Sequence, residues 1–301
     1  MPYQDYISQN ILLPLGMTHT YWEFEKAPSD LLARGYRWED EQWQQEELLH
    51  DGAFGAMGGL ITSIYDFSKY IAFHLSAWPA RSEPDTGPLK RSSLREMHGM
   101  NTPRYYRDAD RFGDTTRPIM RGYGFGLVVM LDHAGVLEVG HNGGLPGFGS
   151  SYMFFPQHGI GIMAFSNLTY VGGTVRSANY KVMSDLIQEG LFMPRQLPVS
   201  DILQQRKEQL TELIQTWDPE LEEEIVAANL YLDISRERRI RESRELLAQL
   251  GRISGTGPLI PENQLRGSFM LLGEEKNLRL YFTLSPEATP RVQWLTLELS
   301  P

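Results

Sequence analysis

The chain has 301 residues, 41% hydrophobic and 22% charged, which suits one large or two ordinary globular domains and is too apolar for a disordered chain. A net charge of -10 without a basic stripe argues against nucleic-acid binding, and the absence of cysteine excludes disulfides, thiolate nucleophiles and cysteine-ligated metals. No run of about 18 apolar residues exists, so no membrane-spanning helix is expected.

Residues 3–13 pattern as a helix: Tyr3, Tyr6, Ile7, Ile11 and Leu12 share a face, and Leu13-Pro14 stops it. Nothing here reads as a signal peptide, and a chain that begins inside an amphipathic helix reads as truncated; the compartment stays open. Residues 23–50 are charged and aromatic, with Arg34-Gly35-Tyr36 as a turn into an edge strand. Asp51 to Leu60 holds four glycines in ten residues, a loop that either turns tightly or lines a pocket. Thr62 or Ser63 then caps a helix from about Ile64 to Leu75, with Phe67, Tyr70, Ile71 and His74 on one face. A residue on such a stripe is read as packed, so His74 is placed at the core edge.

Ser92 to Met100 is a short helix, and residues 101–121, rich in Arg and Asp, read as an exposed excursion. Four strands follow in antiparallel order: Gly122–Leu131, Val136–His141, Ser151–Phe155 and Ile160–Phe165. Val175 to Phe192 is a helix with Val182, Met183, Leu186, Ile187 and Leu191 as its apolar face. After Leu197-Pro198 come helices over 201–217, 219–232 and 235–250, then strands over 267–272, 277–285 and 291–299. In the second of these strands Leu278, Leu280, Phe282 and Leu284 alternate onto one face.

The chemistry narrows by elimination. Seven histidines are scattered and no H-E-x-x-H occurs, so no metal site is expected. No phosphate loop is present, and Gly122-Tyr123-Gly124 does not open a helix, so no cofactor is expected either. The nucleophile elbow G-x-S-x-G is absent. What remains is His141-Asn142-Gly143-Gly144, which on spacing alone is as readily a glycine-rich strand entrance as a site.

The order of motifs decides between them: PLGM-T-x-T from Pro14, GAMGGLITSIYDFSKYI from Gly55, GYGFGL from Gly122, GHNGGLPGFGSSYMFFP from Gly140, and an apolar strand ending in Asn167. Over about residues 1–192 this resembles the serine β-lactamase and penicillin-binding-protein-like hydrolases, the class C β-lactamase-related family. In that family the active-site strand carries a Lys/His-x-Gly triplet, here His141-Asn142-Gly143. The resemblance implies that His141 helps hold a substrate carboxylate or assists proton movement. It implies that the Gly144 N–H is half of an oxyanion hole, and that Asn142, Gly143, Phe148 and Gly58 bind substrate. Histidine in place of lysine suggests esterase or peptidase chemistry rather than dedicated β-lactam hydrolysis.

The family's S-x-x-K nucleophile is missing: no serine is followed three residues later by lysine. Ser8-Gln9-Asn10 and Ser177-Ala178-Asn179 match the second motif only by letters, in the wrong places. The expectation is therefore an α+β fold. Residues 1–196 would be the C-terminal part of a β-lactamase-like domain, an antiparallel sheet flanked by helices (a partial β-lactamase/transpeptidase-like fold). Residues 197–301 would be a small α+β accessory domain with a fold-level likeness to cystatin-like cones. The expected function is a truncated serine hydrolase, inactive alone and forming a homodimer through its exposed edge, whose substrate is a small or peptide-like molecule. The alternative is a non-catalytic ligand- or partner-binding pseudoenzyme.

Overall fold

The computed structural model describes residues 1–81, 83–110 and 116–300, in two units, Met1–Arg195 and Gln196–Pro301. In the first, helix α1 (Tyr3–Ile7) continues into a π-helical stretch, Ser8–Leu12, before Pro14. The expected edge strand is one arm of a hairpin, β1 (Tyr36–Glu39) with β2 (Gln42–Gln45), turned by Asp40 and Glu41 at positive φ. Sequence reading missed the second arm because neither turn residue is glycine, the usual marker of such a turn. The glycine-rich loop contains a short helix, α2 (Gly55–Gly58).

Helix α3 (Ile64–Leu75) begins where the Ser63 hydroxyl accepts the Asp66 N–H at 3.1 Å, which satisfies one of the helix's orphan donors. Ser63, not Thr62, is the cap. After α4 (Arg91–Met97), the segment expected as an excursion is instead two paired strands, β3 (Thr102–Asp110) and β4 (Thr116–Tyr123). Residues 111–115 of that expectation lie outside the described ones. The expected strand over 122–131 is divided: β4 ends at Tyr123, Gly124-Phe125-Gly126-Leu127 turns with the Gly124 N–H on Leu127 O at 2.8 Å, and β5 (Val128–Asp132) starts anew.

Then β6 (Leu137–Leu145), β7 (Phe148–Phe155) and β8 (Ile160–Ser166) complete a six-stranded antiparallel meander in the order β3-β4-β5-β6-β7-β8. Helix α5 (Gly172–Gln188) follows. Successive residues of β7 point to opposite faces, so it divides the core in two. Phe154 packs with Ile71 of α3, Val139 and Leu127, while Met153 and Phe155 pack with Met183 of α5. The sheet is thus flanked on both faces by helices. The expected apolar face of α5 is only partly buried: Met183 is inside, but Val182 is 48% exposed and Leu191, beyond the helix end, 61%.

The second unit has three helices, α6 (Asp201–Thr216), α7 (Pro219–Ile225) and α8 (Arg236–Leu247). The chain between α7 and α8 leaves the expected helix and makes only a 3-10 turn, Ala228–Tyr231. The sheet has five strands rather than three, β9 (Ile253–Thr256), β10 (Ile260–Asn263), β11 (Arg266–Gly273), β12 (Asn277–Leu284) and β13 (Val292–Ser300). The alternation in β12 has its packing reason: Leu278, Leu280, Phe282 and Leu284 are all buried against Leu203, Leu210, Leu213 and Ile214 of α6.

Candidate functional site

Strand β6 overhangs its neighbour. The register with β5 ends at the pair Val128 and Gly140, while the register with β7 runs on through Tyr152–His141, Ser151–Asn142, Ser150–Gly143, Gly149–Gly144 and Phe148–Leu145. Along His141–Leu145, one edge of β6 therefore has no strand partner among the described residues. Two carbonyls of this stretch already have partners outside the sheet ladder, Asn142 O in the His141 ring and Leu145 O in the Tyr170 N–H at 3.3 Å.

His141 stands where the overhang begins. Its Nδ1 is 2.8 Å from the Asn142 carbonyl oxygen, and its Nε2 is 2.9 Å from the Tyr123 hydroxyl at the end of β4. A carbonyl oxygen only accepts, so Nδ1 carries the proton; in the neutral ring Nε2 then accepts from the Tyr123 O–H. The Arg104 guanidinium lies 5.6 Å from the centre of the Tyr123 ring, within cation–π range. Across the strand pair from His141 is Tyr152, whose phenol is pushed well above its ordinary value by burial and by Tyr70 beside it.

The glycines are set by close approach. A Cβ on Gly144 would come 3.0 Å from Tyr170, and one on Gly143 would come 2.9 Å from Ser150 Oγ. Phe148 opens β7 opposite Leu145. A Cβ on Gly58 would lie 4.0 Å from Leu145, so the glycine-rich loop comes to the far end of the same strand. The structure thus places His141, Asn142, Gly143 and Gly144 consecutively on the overhang and brings Gly58 and Phe148 to its end. The β1–β2 hairpin docks nearby: Gly147 N–H bonds Thr169 Oγ1 at 2.8 Å, and Thr169 Oγ1 bonds Glu46 Oε1 at 2.9 Å.

Sequence reading missed Tyr123 as the partner of His141. The residue lies inside the GYGFGL motif, but a contact across two strand ends leaves no mark in spacing. Among the described residues, one group could bring three ligand atoms to a metal ion: Glu23, Glu25 and His50. His50, 65% exposed, turns Nδ1 to Glu23 at 3.1 Å and Nε2 to Glu25 at 3.7 Å, so both ring nitrogens already face carboxylates. Two clefts are lined elsewhere, one in the second unit by Glu222, Tyr231, Arg236 and Arg291 and one in the first by Pro14, Lys69, Phe73 and Arg91; neither contains His141. No helix among the described residues is long and apolar enough to cross a membrane.

The profile of a family described as Beta-lactamase matches residues 1–186. Curated protein sequences give no match. Among solved structures, the chain is similar to the octameric penicillin-binding protein homologue from Pyrococcus abyssi, at 17% identity and a TM-score of 0.48 over 99% of this chain and 60% of that one. The penicillin binding protein from Bacillus halodurans matches at 18% identity and 0.47, over 60% of this chain and 50% of that one. A class C beta-lactamase matches at 18% and 0.41, over 62% of this chain and 52% of that one. The chain thus spans about half to three-fifths of the length of these solved structures.

Proposed function

We propose, on the premise that the chain belongs to the beta-lactamase family, that these 301 residues supply the strand wall of a serine-hydrolase cleft and not its nucleophile. The observation that carries the reading is the overhang of β6, which leaves one backbone edge of His141–Leu145 without a strand partner among the described residues. Such an edge suits an extended, peptide-like substrate, whose own backbone can pair with it. On this reading His141 assists proton movement at Nε2 or, as the protonated ring with Nε2–H turned from Tyr123 to the ligand, holds the substrate carboxylate, and the Gly144 N–H is one oxyanion donor. Asn142, Gly143, Phe148 and Gly58 line the bound chain.

The chemistry is incomplete within this sequence. Oxyanion donors lower the barrier to acyl transfer only once a nucleophile attacks, and the sequence holds no S-x-x-K pair of serine and activating lysine. The 301 residues alone therefore bind without turning over. We also assign self-association to this unit: β8 is the last strand of its sheet, and Phe165 on it is 38% exposed.

A titration tests the binding role. An N-acylated dipeptide with a free carboxylate, added to the isotope-labelled chain, shifts the amide resonances of residues 141–144, and His141→Ala weakens the effect. Shifts confined to other surfaces, or none at millimolar ligand, overturn the reading.

A further inference from the structure

We infer that Tyr123 is a positioning residue that sets the proton arrangement of His141; the inference rests on the reading of His141 as a working residue of the site. His141 is held at both nitrogens, by the Asn142 carbonyl at 2.8 Å and the Tyr123 hydroxyl at 2.9 Å. The two contacts differ in kind. The carbonyl can only accept, so it fixes the proton on Nδ1 whether the ring is neutral or charged. The hydroxyl can donate or accept, so it can serve Nε2 in both states: it donates to the lone pair of the neutral ring and, after rotating, accepts from the N–H of the cation. Nε2 is therefore the nitrogen at which a proton is gained or lost, and Tyr123 is the group that keeps the ring in place while this happens.

The fold explains why Tyr123 can do this. It is the last residue of β4, and the chain turns away immediately at Gly124, whose N–H bonds Leu127 O at 2.8 Å. β5 begins only at the Val128–Gly140 pair, so no residue of β5 stands opposite His141. The phenol crosses that gap and meets the imidazole with the two rings nearly perpendicular, at 80° and 5.7 Å between centres. The Arg104 cation on the ring at 5.6 Å draws electron density from the phenol and makes its O–H the better donor. Without the hydroxyl, the overhanging imidazole keeps one anchor instead of two.

Nitrogen NMR of the imidazole rings tests this without substrate, so its failure is separate from failure of the binding titration or of any hydrolysis assay. His141→Gln identifies the His141 signals by their loss. The expected pattern in the unaltered chain is a protonated Nδ1 and a lone-pair Nε2 displaced toward lower shift by the hydrogen bond it accepts. In Tyr123→Phe, Nε2 moves to the position of an unbonded lone-pair nitrogen, Nδ1 stays, and circular dichroism is unchanged. A ring protonated at Nε2 in the unaltered neutral protein, or an Nε2 shift indifferent to Tyr123→Phe, overturns the assignment. If Tyr123→Phe does not fold, the unaltered protein still decides: the displaced Nε2 shift with contacts between the Tyr123 ring protons and His141 supports it, and an undisplaced Nε2 shift refutes it.

Discussion

His74 Nδ1 lies 2.9 Å from His98 Nε2, deep between α3 and the sheet, with both imidazoles almost fully buried. The Trp78 indole N–H donates to His98 Nδ1 at 3.0 Å. An indole only donates, so His98 carries its proton on Nε2 and gives it to His74 Nδ1. Every position of the chain is filled by a neutral ring, and an added proton puts two donors face to face.

Acid should therefore unfold the first unit. Burial, and the neighbouring imidazole, push His74 down to about 3. Burial and the Arg95 guanidinium push His98 down to about 4. Both folded values lie below the usual 6.5, so between them the unfolded chain binds more protons and stability falls as the pH drops. At pH 5 the loss is on the order of 2 kcal/mol for each ring relative to pH 8. Denaturant unfolding of the first unit at the two pH values checks this; equal midpoints contradict it.

Asp66 is the next weak point. Its carboxylate is fully buried, and although that burial alone would raise its pKa, Lys69, the His19 N–H and the Thr20 hydroxyl hold it below its ordinary value. Asp66→Ala should cost about 3 kcal/mol or more, because three donors lose their acceptor. Ser63→Ala, which removes only the cap, should cost about 1 kcal/mol. Urea midpoints of the two variants give the order, and a Ser63→Ala loss as large as that of Asp66→Ala counts against it.

These two residues also show what a sequence can disclose. Ser63 and the stripe from Phe67 to His74 are local signals, and α3 is found where they point. So is β12, because alternation matches a sheet with one buried face. β3 and β4 gave no such signal: Ile119 is buried, but Met120 is 40% exposed and the run is crowded with Arg and Asp, so no apolar face announces a strand. β9 and β10 have four residues each, interrupted by Gly255 and Pro261, and owe their pairing to β11. The candidate site divides the same way. His141 to Gly144 were legible as a motif, whereas the Tyr123 contact and the overhang depend on where β4 stops and β5 starts.

In the second unit, β12 carries the core. Leu280→Ala should cost about 2–5 kcal/mol, since the side chain is fully buried with Phe269 and Leu297 opposite it on the neighbouring strands, in the core that includes helix α6. The unit has its own core, so residues 196–301 expressed alone should melt cooperatively, and Leu280→Ala should lower that transition. A 196–301 fragment without a cooperative transition contradicts this.

Self-association is a separate expectation. Light scattering at micromolar concentration should give twice the chain mass of 34.4 kDa. Phe165→Lys on the last strand of the sheet should shift the population toward monomer. A monomer in the unaltered chain removes the proposal.

The most direct measurement is hydrolysis of nitrocefin and of a p-nitrophenyl ester by the purified 301-residue chain. A strand wall without its S-x-x-K partner predicts rates no higher than buffer for both. Turnover well above buffer that disappears when one of the chain's own serines is changed would contradict the account.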